Sequence, residues 1–189
     1  MGIDRSVHRA VFLDRDGVIN RAVLRDGKPH PPASADLVEL MPGVATALQR
    51  LKAAGYLLIV VTNQPDVARG AQTRDAVEAI HARLASMLPL DEFRACYHDD
   101  QDACACRKPE PGLIIEAARD LRLDVGASVM VGDRWRDIEA GRRAGCATVF
   151  IDYGYAEPQP HGPDAVVTSL EEATDWILSR DGNTAYDPS

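Results

Sequence analysis

An apolar run that ends at two carboxylates is the feature of this sequence that most constrains its fold. Val11–Leu13 is followed by Asp14 and Asp16, one residue apart, and then by Gly17. A short continuous apolar run is typical of a parallel strand covered on both faces, and a glycine permits the turn that must follow such a strand. We therefore predict a buried strand that delivers two acidic side chains to a site at its end.

The spacing of the two acids indicates a bound cation. Side chains two residues apart in an extended chain share one face, so the carboxylates of Asp14 and Asp16 repel each other unless a cation lies between them. Mg²⁺ suits this position because it binds one or two carboxylates and completes its coordination with water and substrate phosphate. The alternative is a solvent-exposed Asp-Arg-Asp-Gly turn that closes the strand.

Strand and helix patterns alternate along the rest of the chain. Further strand patterns lie at residues 56–61, 93–97, 128–131, 147–151 and 165–167. Helical patterns lie between residues 42 and 55, at 73–88, at 111–121, at 135–144 and after 169. The helix at 111–121 has an apolar pattern made of Ile114, Ile115, Ala118 and Leu121. This alternation predicts an α/β fold, with a Rossmann-like, mostly parallel sheet and helices on both faces.

Polar residues follow several of these strands directly. Thr62, Asn63 and Gln64 come after the strand at 56–61, and Asp133 comes after the strand at 128–131, with Asp137 one helical turn later. In an open parallel sheet the ligand lies beyond the carboxyl ends of the strands, so we expect these groups to gather with Asp14 and Asp16. Each residue alone has a plainer explanation, because aspartates also cap helices and a threonine can simply end a strand.

Three cysteines and a histidine form two close pairs, Cys96-x-His98 and Cys104-x-Cys106. Three thiolates and one imidazole suit tetrahedral Zn²⁺ with no open coordination position, which predicts a structural zinc-binding loop. Disulfides and unpaired surface thiols are the alternatives. Because Arg107 and Lys108 directly follow the last of these ligands, zinc would fix the loop that presents both cations.

The composition excludes several classes of partner and location. The chain has 189 residues and a formal net charge of −8, whereas a nucleic-acid surface requires clustered basic residues. No apolar stretch approaches the roughly 20 residues of a membrane span and no apolar signal segment is evident, so we expect a cytoplasmic protein that binds no membrane. We also expect a monomer with one domain over residues 1–189, a core at about 8–179 and a frayed tail at 180–189.

Residues 18–41 and the short segments between the motifs limit the size of any insertion. Regular structure in this segment is interrupted by Gly27, Pro29, Pro31 and Pro32. We therefore expect an irregular flap over the end of the first strand. The predicted elements fill nearly all of the chain between Asp14, Thr62 and Lys108, which leaves no room for a large cap domain.

Taken together, the motifs resemble those of the haloacid dehalogenase superfamily phosphatases. The matching segments are Asp14-x-Asp16-Gly17, Thr62-Asn63-Gln64, Arg107-Lys108-Pro109 and Gly132-Asp133 with Asp137. The resemblance implies that Asp14 is the nucleophile that takes the phosphoryl group and that Asp16 is the general acid and base. It implies that Thr62 and Lys108 bind the transferring phosphoryl group. It also implies a Mg²⁺ site made of Asp14, the backbone carbonyl of Asp16, and Asp133, with Asp137 in contact with these ligands rather than with the ion.

The zinc loop narrows the resemblance to two groups of enzymes, the D-glycero-D-manno-heptose 1,7-bisphosphate 7-phosphatases and the histidinol-phosphate phosphatases. Residues 67–70 and 108–112 look more like the heptose enzymes, whereas Pro65-Asp66 stands where that family usually has Ser-Gly. The resemblance implies a small phosphorylated sugar as substrate, bound by residues that include Asn63, Gln64, Arg69, Arg107 and Lys108. Arg107 offers a bidentate guanidinium for a second phosphate, unless it pairs with Asp99, Asp100 or Asp102.

Three other functions remain open at this point. Histidinol-phosphate phosphatase is the same chemistry on a different leaving group. A non-catalytic, zinc-stabilised interaction module has no need of clustered carboxylates, so the complete set of site residues counts against it. A phosphomutase is disfavoured because the predicted chain lacks a cap that would exclude water.

Overall fold

Parallel strands and helices alternate in the structure as the sequence predicts. The computed structural model describes residues 7–25 and 28–183. In chain order the strands are β1 (Ala10–Leu13), β2 (Val23–Arg25), β3 (Lys28–His30), β4 (Leu57–Asn63), β5 (Glu92–Cys96), β6 (Val129–Gly132), β7 (Ala147–Ile151) and β8 (Ala165–Val167). The helices are α1 (Val44–Ala53), α2 (Arg74–Met87), α3 (Gly112–Leu121), α4 (Trp135–Ala144) and α5 (Leu170–Asn183), and a 3₁₀ turn lies at Ala35–Leu37.

The main sheet places β1 at its centre. Its six strands lie in the order β5-β4-β1-β6-β7-β8, and all neighbouring strands are parallel. Phe12 in β1 lies opposite Ile59 in β4 on one side and Met130 in β6 on the other. Parallel strands end at the same edge of a sheet, so the residues that follow β1, β4 and β6 come together there.

The two faces of the sheet are covered by different helices. On one face α1, α2 and α5 pack through Leu48, Ile80 and Ile177, and on the other α3 and α4 pack through Ile114 and Ala140. Full burial of one large aliphatic side chain contributes roughly 1.5–3 kcal/mol, so the two faces together supply the main stabilisation of the fold. The predicted α/β architecture with helices on both faces is confirmed.

Helix α3 buries a different apolar stripe from the predicted one. Leu113, Ile114, Ala117 and Ala118 are buried, whereas the side chain of Ile115 is 45% exposed. An α-helix buries one stripe of about 100°, and once Leu113 faces the sheet, Ile115 is turned away from it. The prediction that Ile115 belongs to the buried pattern is therefore wrong.

The flap at residues 18–41 contains more regular structure than the sequence predicts. Strands β2 and β3 form an antiparallel pair in which Val23 lies opposite His30, and the 3₁₀ turn follows. A two-stranded ribbon has two free edges, so it accommodates the prolines that would interrupt a central strand. Gly27 lies outside the described residues. Within residues 7–25 and 28–183 no separate cap domain interrupts the sheet, as expected.

The last helix extends beyond the predicted core. Helix α5 ends at Asn183, so residues 180–183 of the segment that the sequence predicts to be frayed are helical. The remainder of that segment, residues 184–189, lies outside the described residues. Among the helices of the described ranges, none has the length and apolar character needed to cross a bilayer.

Candidate active site at the carboxyl edge of the sheet

The turn after β1 brings Asp14 against the end of β6. The backbone N–H of Asp14 donates to the carbonyl of Val131 at 3.0 Å, which continues the pairing of the two strands by one residue. Gly17 follows with a φ of 98°, a left-handed conformation that favours glycine. A Cβ atom on Gly17 would lie 1.9 Å from Oδ2 of Asp133. The glycine is therefore required both for the turn and for the close approach of the Asp133 carboxylate.

Lys108 is the buried cation of the site. Its ammonium lies 2.6 Å from Oδ1 of Asp14, 2.7 Å from Oδ1 of Asp137 and 2.7 Å from the carbonyl oxygen of Val61. These three contacts match the three N–H donors of a lysine side chain. Burial alone would lower the pKa of Lys108, but the charges of Asp137 and Asp14 outweigh burial and raise it. Lys108 is therefore held in its charged form.

The side chain of Asn63 holds the backbone of Lys108 in place. Its Oδ1 accepts a hydrogen bond from the Lys108 N–H at 3.0 Å, and its Nδ2 donates to the Lys108 carbonyl at 2.9 Å. The sequence predicts Asn63 as a substrate-binding residue, and the structure does bring it to the cavity wall. Its amide is nevertheless already bonded within the protein, so its observed action is to position Lys108.

Three carboxylates form a group that fits a divalent cation. Asp14, Asp133 and Asp137 are buried, and each offers an oxygen within 4.8 Å of the others. Burial is the largest cause that raises the pKa of Asp14 to about 6, against the opposing charge of Lys108. Burial and the charges of Asp14 and Asp137 raise the pKa of Asp133 well above its ordinary value. These shifts show carboxylates that are desolvated and crowded by like charge.

The two oxygens of Asp133 give a more specific test of cation binding. Both are buried, and neither makes a hydrogen bond of good geometry among the described residues, although the nearby Tyr155 side chain favours the ionised carboxylate. Asp137 differs, because its Oδ1 contacts Lys108 and its Oδ2 accepts from the backbone N–H of Arg134 at 3.0 Å. An unpaired buried carboxylate is costly, and Mg²⁺ is a suitable partner for such oxygens. The residues present therefore fit a Mg²⁺ site in which Asp133 and Asp14 are the carboxylate ligands.

The carboxylate of Asp16 is held by three neighbouring side chains. Arg15 donates to its Oδ2 at 2.8 Å, Asn20 donates to its Oδ1 at 2.9 Å, and Gln64 donates to its Oδ2 at 3.0 Å. The Asp16 carboxylate thus has a cationic partner within the protein, and a metal ion between Asp14 and Asp16 stays a prediction. The charge that balances the Asp16 carboxylate comes from the guanidinium of Arg15, a fully buried residue that the sequence analysis did not identify.

Arg15 is itself anchored by His81 from helix α2. Its Nη1 lies 3.1 Å from Nε2 of His81, whose ring stacks on Phe93 with 4.8 Å between centroids. Burial and then the charge of Arg15 lower the pKa of His81 to about 4, so the ring is neutral at physiological pH and its Nε2 can accept the hydrogen bond. The sequence does contain a signal for Arg15. In an extended chain, a residue between two others that share one face points to the opposite face, and at this position that face is buried.

Gln64 links Asp16 to the end of β4. In addition to Asp16, its amide Nε2 donates to Oγ1 of Thr62 at 2.8 Å. Gln64 and Thr62 are both buried, so this contact leaves the Thr62 hydroxyl proton available to another acceptor. The sequence predicts Gln64 as a substrate-binding residue; the structure shows its amide holding two other residues of the site.

A cavity of about 520 Å³ opens above these groups. Asp14, Asp16, Thr62 and Lys108 line it together with His30 and Pro31 of the flap and the unusual pair Pro65-Asp66. Four arginines also line the cavity: Arg69, Arg107, Arg134 and Arg136. The predicted catalytic residues therefore lie in one cavity whose wall is rich in guanidinium groups, which suit phosphate.

Asp100 forms ion pairs with three of the four arginines. Its Oδ1 accepts from Nε of Arg107 at 3.0 Å and from Nη1 of Arg136 at 2.9 Å, while its Oδ2 lies 3.6 Å from Nη2 of Arg69. The hydrogen bond from Arg107 is the largest cause that lowers the pKa of Asp100 to about 2. The pairing of Arg107 with Asp100 is one of the alternatives that the sequence leaves open. Arg136 belongs to no motif and was not identified from the sequence.

The four predicted zinc ligands lie together at the end of β5. The Sγ atom of Cys106 is 3.1 Å from that of Cys96, 3.4 Å from that of Cys104 and 3.3 Å from Nδ1 of His98. The sulfur separations are somewhat shorter than the roughly 3.8 Å edge of a tetrahedron with metal bonds of about 2.3 Å to sulfur, so a small outward shift of the thiols would admit the ion. All four cysteines are free in this structure, which counts against the disulfide alternative. The cluster could form a zinc site, as the sequence predicts.

Comparisons with known proteins agree with this geometry. A family model described as HAD-hydrolase-like matches residues 105–173. A D-glycero-beta-D-manno-heptose-1,7-bisphosphate 7-phosphatase of Salmonella typhi is 37% identical over 183 residues, which covers 90% of this chain and 89% of that protein. A D-glycero-D-manno-heptose-1,7-bisphosphate 7-phosphatase of Thermosynechococcus vestitus is 35% identical over 193 residues, with 90% and 95% coverage.

A solved structure extends the similarity to three dimensions. The crystal structure of D,D-heptose 1,7-bisphosphate phosphatase from B. bronchiseptica, complexed with magnesium and phosphate, matches with a TM-score of 0.77 and 32% sequence identity. The match covers 91% of this chain and 99% of that one. The similarity therefore extends over nine tenths of this chain and nearly all of that one.

Proposed function

The chain belongs to the haloacid dehalogenase superfamily of phosphatases, and on that basis we propose that it removes the 7-phosphate from D-glycero-D-manno-heptose 1,7-bisphosphate. The observation that carries this proposal is the buried Lys108, bonded to Asp14 and Asp137, at the floor of a cavity lined by four arginines. Relatives that are named as heptose bisphosphate 7-phosphatases match nine tenths of the chain, and these names support the choice of substrate.

Asp14 is the nucleophile in this proposal. Its Oδ1 accepts from Lys108, which leaves Oδ2 to attack the phosphorus atom. As the new O–P bond forms, the bond between phosphorus and the sugar oxygen breaks, and Asp16, which must carry a proton when the substrate binds, gives that proton to the sugar oxygen. The product is an aspartyl phosphate on Asp14 and a free sugar hydroxyl. A carboxylate with a pKa of about 6 is mostly ionised at neutral pH and needs no separate base to activate it.

Asp16 acts again in the second step. It takes a proton from a water molecule, the water oxygen attacks the phosphorus, and the O–P bond to Asp14 breaks to release inorganic phosphate. Arg15, Asn20 and Gln64 fix the carboxylate for both transfers. This restraint matters because proton transfer in either direction requires hydrogen-bond distance to the oxygen that reacts.

Thr62 and Lys108 oppose the charge that spreads over the phosphoryl oxygens. The Thr62 hydroxyl accepts from Gln64 and can donate its own proton to a phosphoryl oxygen. Lys108 supplies a fixed positive charge beside Asp14. Preorganised donors of this kind lower the barrier because phosphoryl transfer depends mainly on positioning and electrostatic stabilisation.

The charge balance of the site supports a divalent cation. Three carboxylates and one ammonium carry a formal charge of −3 + 1 = −2. Asp14, Asp133 and the backbone carbonyl of Asp16 would hold Mg²⁺, with Asp137 in contact with Lys108. Bound there, the ion would neutralise this charge and polarise the transferring phosphoryl group.

The arginine cluster supports a substrate with two phosphates. Arg69, Arg107 and Arg136 surround Asp100, and Arg69 also lies 3.7 Å from Oδ1 of Asp66, so the three arginines and two aspartates carry a net formal charge of +1. Phosphate is the natural partner of guanidinium groups that exceed their acidic neighbours in number. Histidinol phosphate has a single phosphate and would leave this charge unmatched. A non-catalytic role would not explain why the Asp133 carboxylate is buried.

The Cys/His cluster supports a structural zinc ion held by Cys96, His98, Cys104 and Cys106. The loop packs tightly against the start of α3, because the N–H of Gly112 donates to the Ala105 carbonyl at 3.0 Å and a Cβ on Gly112 would lie 2.3 Å from that oxygen. Bound zinc would supply fixed bonds that hold this loop closed. The cytoplasmic location, the monomeric state and the absence of nucleic-acid and membrane partners stay predictions from the sequence.

We expect the purified protein to contain one equivalent of zinc that excess Mg²⁺ does not displace. The variant Cys104→Ser should lose both the metal and several degrees of melting temperature, because one thiolate ligand is removed. Cys146→Ser is the matched control, since Cys146 is a buried core thiol outside the cluster and its variant should retain zinc. Elemental analysis of the three proteins checks this, and a zinc-free wild type would contradict the structural role of the ion.

We expect Asp14→Asn to abolish turnover while the fold is retained. The amide has nearly the shape of the carboxylate but cannot act as an anionic nucleophile, and Asp16→Asn should also be severely impaired. Asp75→Asn, an exposed change on α2, is the control and should behave as the wild type. Phosphate release and circular dichroism are the measurements. Hydrolysis by Asp14→Asn at a rate near that of the wild type would refute the covalent mechanism.

The third expectation concerns substrate choice. Arg107→Ala should reduce kcat/KM for heptose 1,7-bisphosphate by an amount equivalent to roughly 2–4 kcal/mol, because a charge-assisted contact to the distal phosphate is lost. The loss should be much smaller for a heptose monophosphate and for histidinol phosphate. Arg119→Ala is the control, because Arg119 is a surface residue paired with Asp120. Equal losses on all three substrates, or a wild-type preference for histidinol phosphate, would contradict the assignment.

A further inference from the structure

Asp100 occupies the centre of the arginine cluster. It belongs to the loop between His98 and Cys104 and lines the same cavity as Asp14. Its side chain is 53% exposed, whereas that of Arg107 is only 11% exposed, so the carboxylate lies on the cavity side of a largely buried guanidinium. An exposed carboxylate in this position accepts hydrogen bonds from the guanidinium N–H groups that a bound anion would use.

The hydrogen bonds show how the carboxylate uses those donors. Arg107 and Arg136 both donate to Oδ1, at 3.0 and 2.9 Å, and Arg69 approaches Oδ2 at 3.6 Å. Carboxylate and phosphate oxygens offer guanidinium groups the same kind of acceptor, so Asp100 and a phosphate group compete for the same N–H groups. A phosphate dianion has three acceptor oxygens and twice the charge, which gives it the advantage over the carboxylate.

We propose that Asp100 is a specificity-determining residue that occupies the distal phosphate subsite in the free enzyme and is displaced by the substrate. This proposal rests on the proposed function, because it assumes that a second phosphate binds the cluster. In the free protein the carboxylate keeps the three guanidinium groups from repelling one another. On binding, only a group with more negative charge than a carboxylate replaces it, so substrates that lack a second phosphate gain nothing from the cluster.

A purely structural function for Asp100 makes the opposite prediction. If Asp100 only braces the arginines, its loss should weaken the binding of a bisphosphate or leave it unchanged. Asp100→Asn separates the two possibilities, because both close hydrogen bonds use one oxygen and an amide oxygen can accept both. The substitution therefore removes the competing charge and retains the acceptor that orients Arg107 and Arg136.

The test is calorimetric titration with heptose 1,7-bisphosphate in the presence of Mg²⁺, on the full chain with Asp14→Asn to prevent hydrolysis. Adding Asp100→Asn should tighten binding about tenfold, which is the effect of removing one like charge at close range near a protein surface. Heptose 7-phosphate should change by less than twofold. Asp102→Asn is the matched control: it removes a charge from the same loop, and Asp102 accepts instead from the backbone N–H of Asp99 at 2.8 Å.

Three results would overturn the proposal, and only the third also overturns the substrate assignment. Unchanged or weaker binding of the bisphosphate after Asp100→Asn would contradict competition, provided that the parent protein binds the bisphosphate more tightly than the monophosphate. Equal tightening with Asp100→Asn and Asp102→Asn would show a general charge effect rather than a specific one. If the parent protein binds both ligands equally, there is no distal phosphate subsite, and both the substrate assignment and the Asp100 proposal fail.

Discussion

The ammonium of Lys108, buried among two carboxylates and a backbone carbonyl, is the interaction on which the rest of the site depends. It contacts Asp14, which directly follows β1, and the carbonyl of Val61, which belongs to β4. It also contacts Asp137, which lies in the first turn of the helix that follows β6. A buried charge without partners costs several kcal/mol, so these groups are stable only as a set. The lysine thus connects the three strand ends electrostatically, in addition to the hydrogen bonds of the sheet.

The fold explains why so many charges can meet at one place. With β1 between β4 and β6, the residues that follow each strand lie next to one another without any long insertion. Asn63 then holds the backbone of Lys108, and Gly17 allows the carboxylate of Asp133 to approach the turn after β1. The buried apolar residues of the sheet hold the strands in fixed positions, and the polar residues that follow the strands form the candidate active site. The buried carboxylate of Asp133, whose pKa is raised by burial and by the charges of Asp14 and Asp137, fits a divalent cation at this position.

The sequence was sufficient to predict the sheet, the strand-end acids and the Cys/His cluster, because each depends on a short local pattern. It was insufficient where the surroundings of a side chain depend on partners far away in the chain. The environment of Asp16 combines Arg15 and Asn20 with Gln64, which follows β4, and no spacing rule predicts that these residues meet. Arg136 reaches the cavity from the first turn of α4 and carries no motif. Proline density is a poor guide to the hairpin of the flap, because a two-stranded ribbon with free edges tolerates residues that cannot donate a backbone hydrogen bond.

The central claim is that the phosphoryl group passes through Asp14, and trapping that intermediate tests it most directly. The wild-type protein is mixed with heptose 1,7-bisphosphate and Mg²⁺, quenched with acid within the first turnover and reduced with borohydride, which converts an acyl phosphate to an alcohol. Peptide mass mapping should then find Asp14, and not Asp16, reduced to homoserine, with no such change in a sample that lacked substrate. Full phosphate release with Asp14 unmodified at every quench time, or reduction at a different carboxylate, would contradict the account.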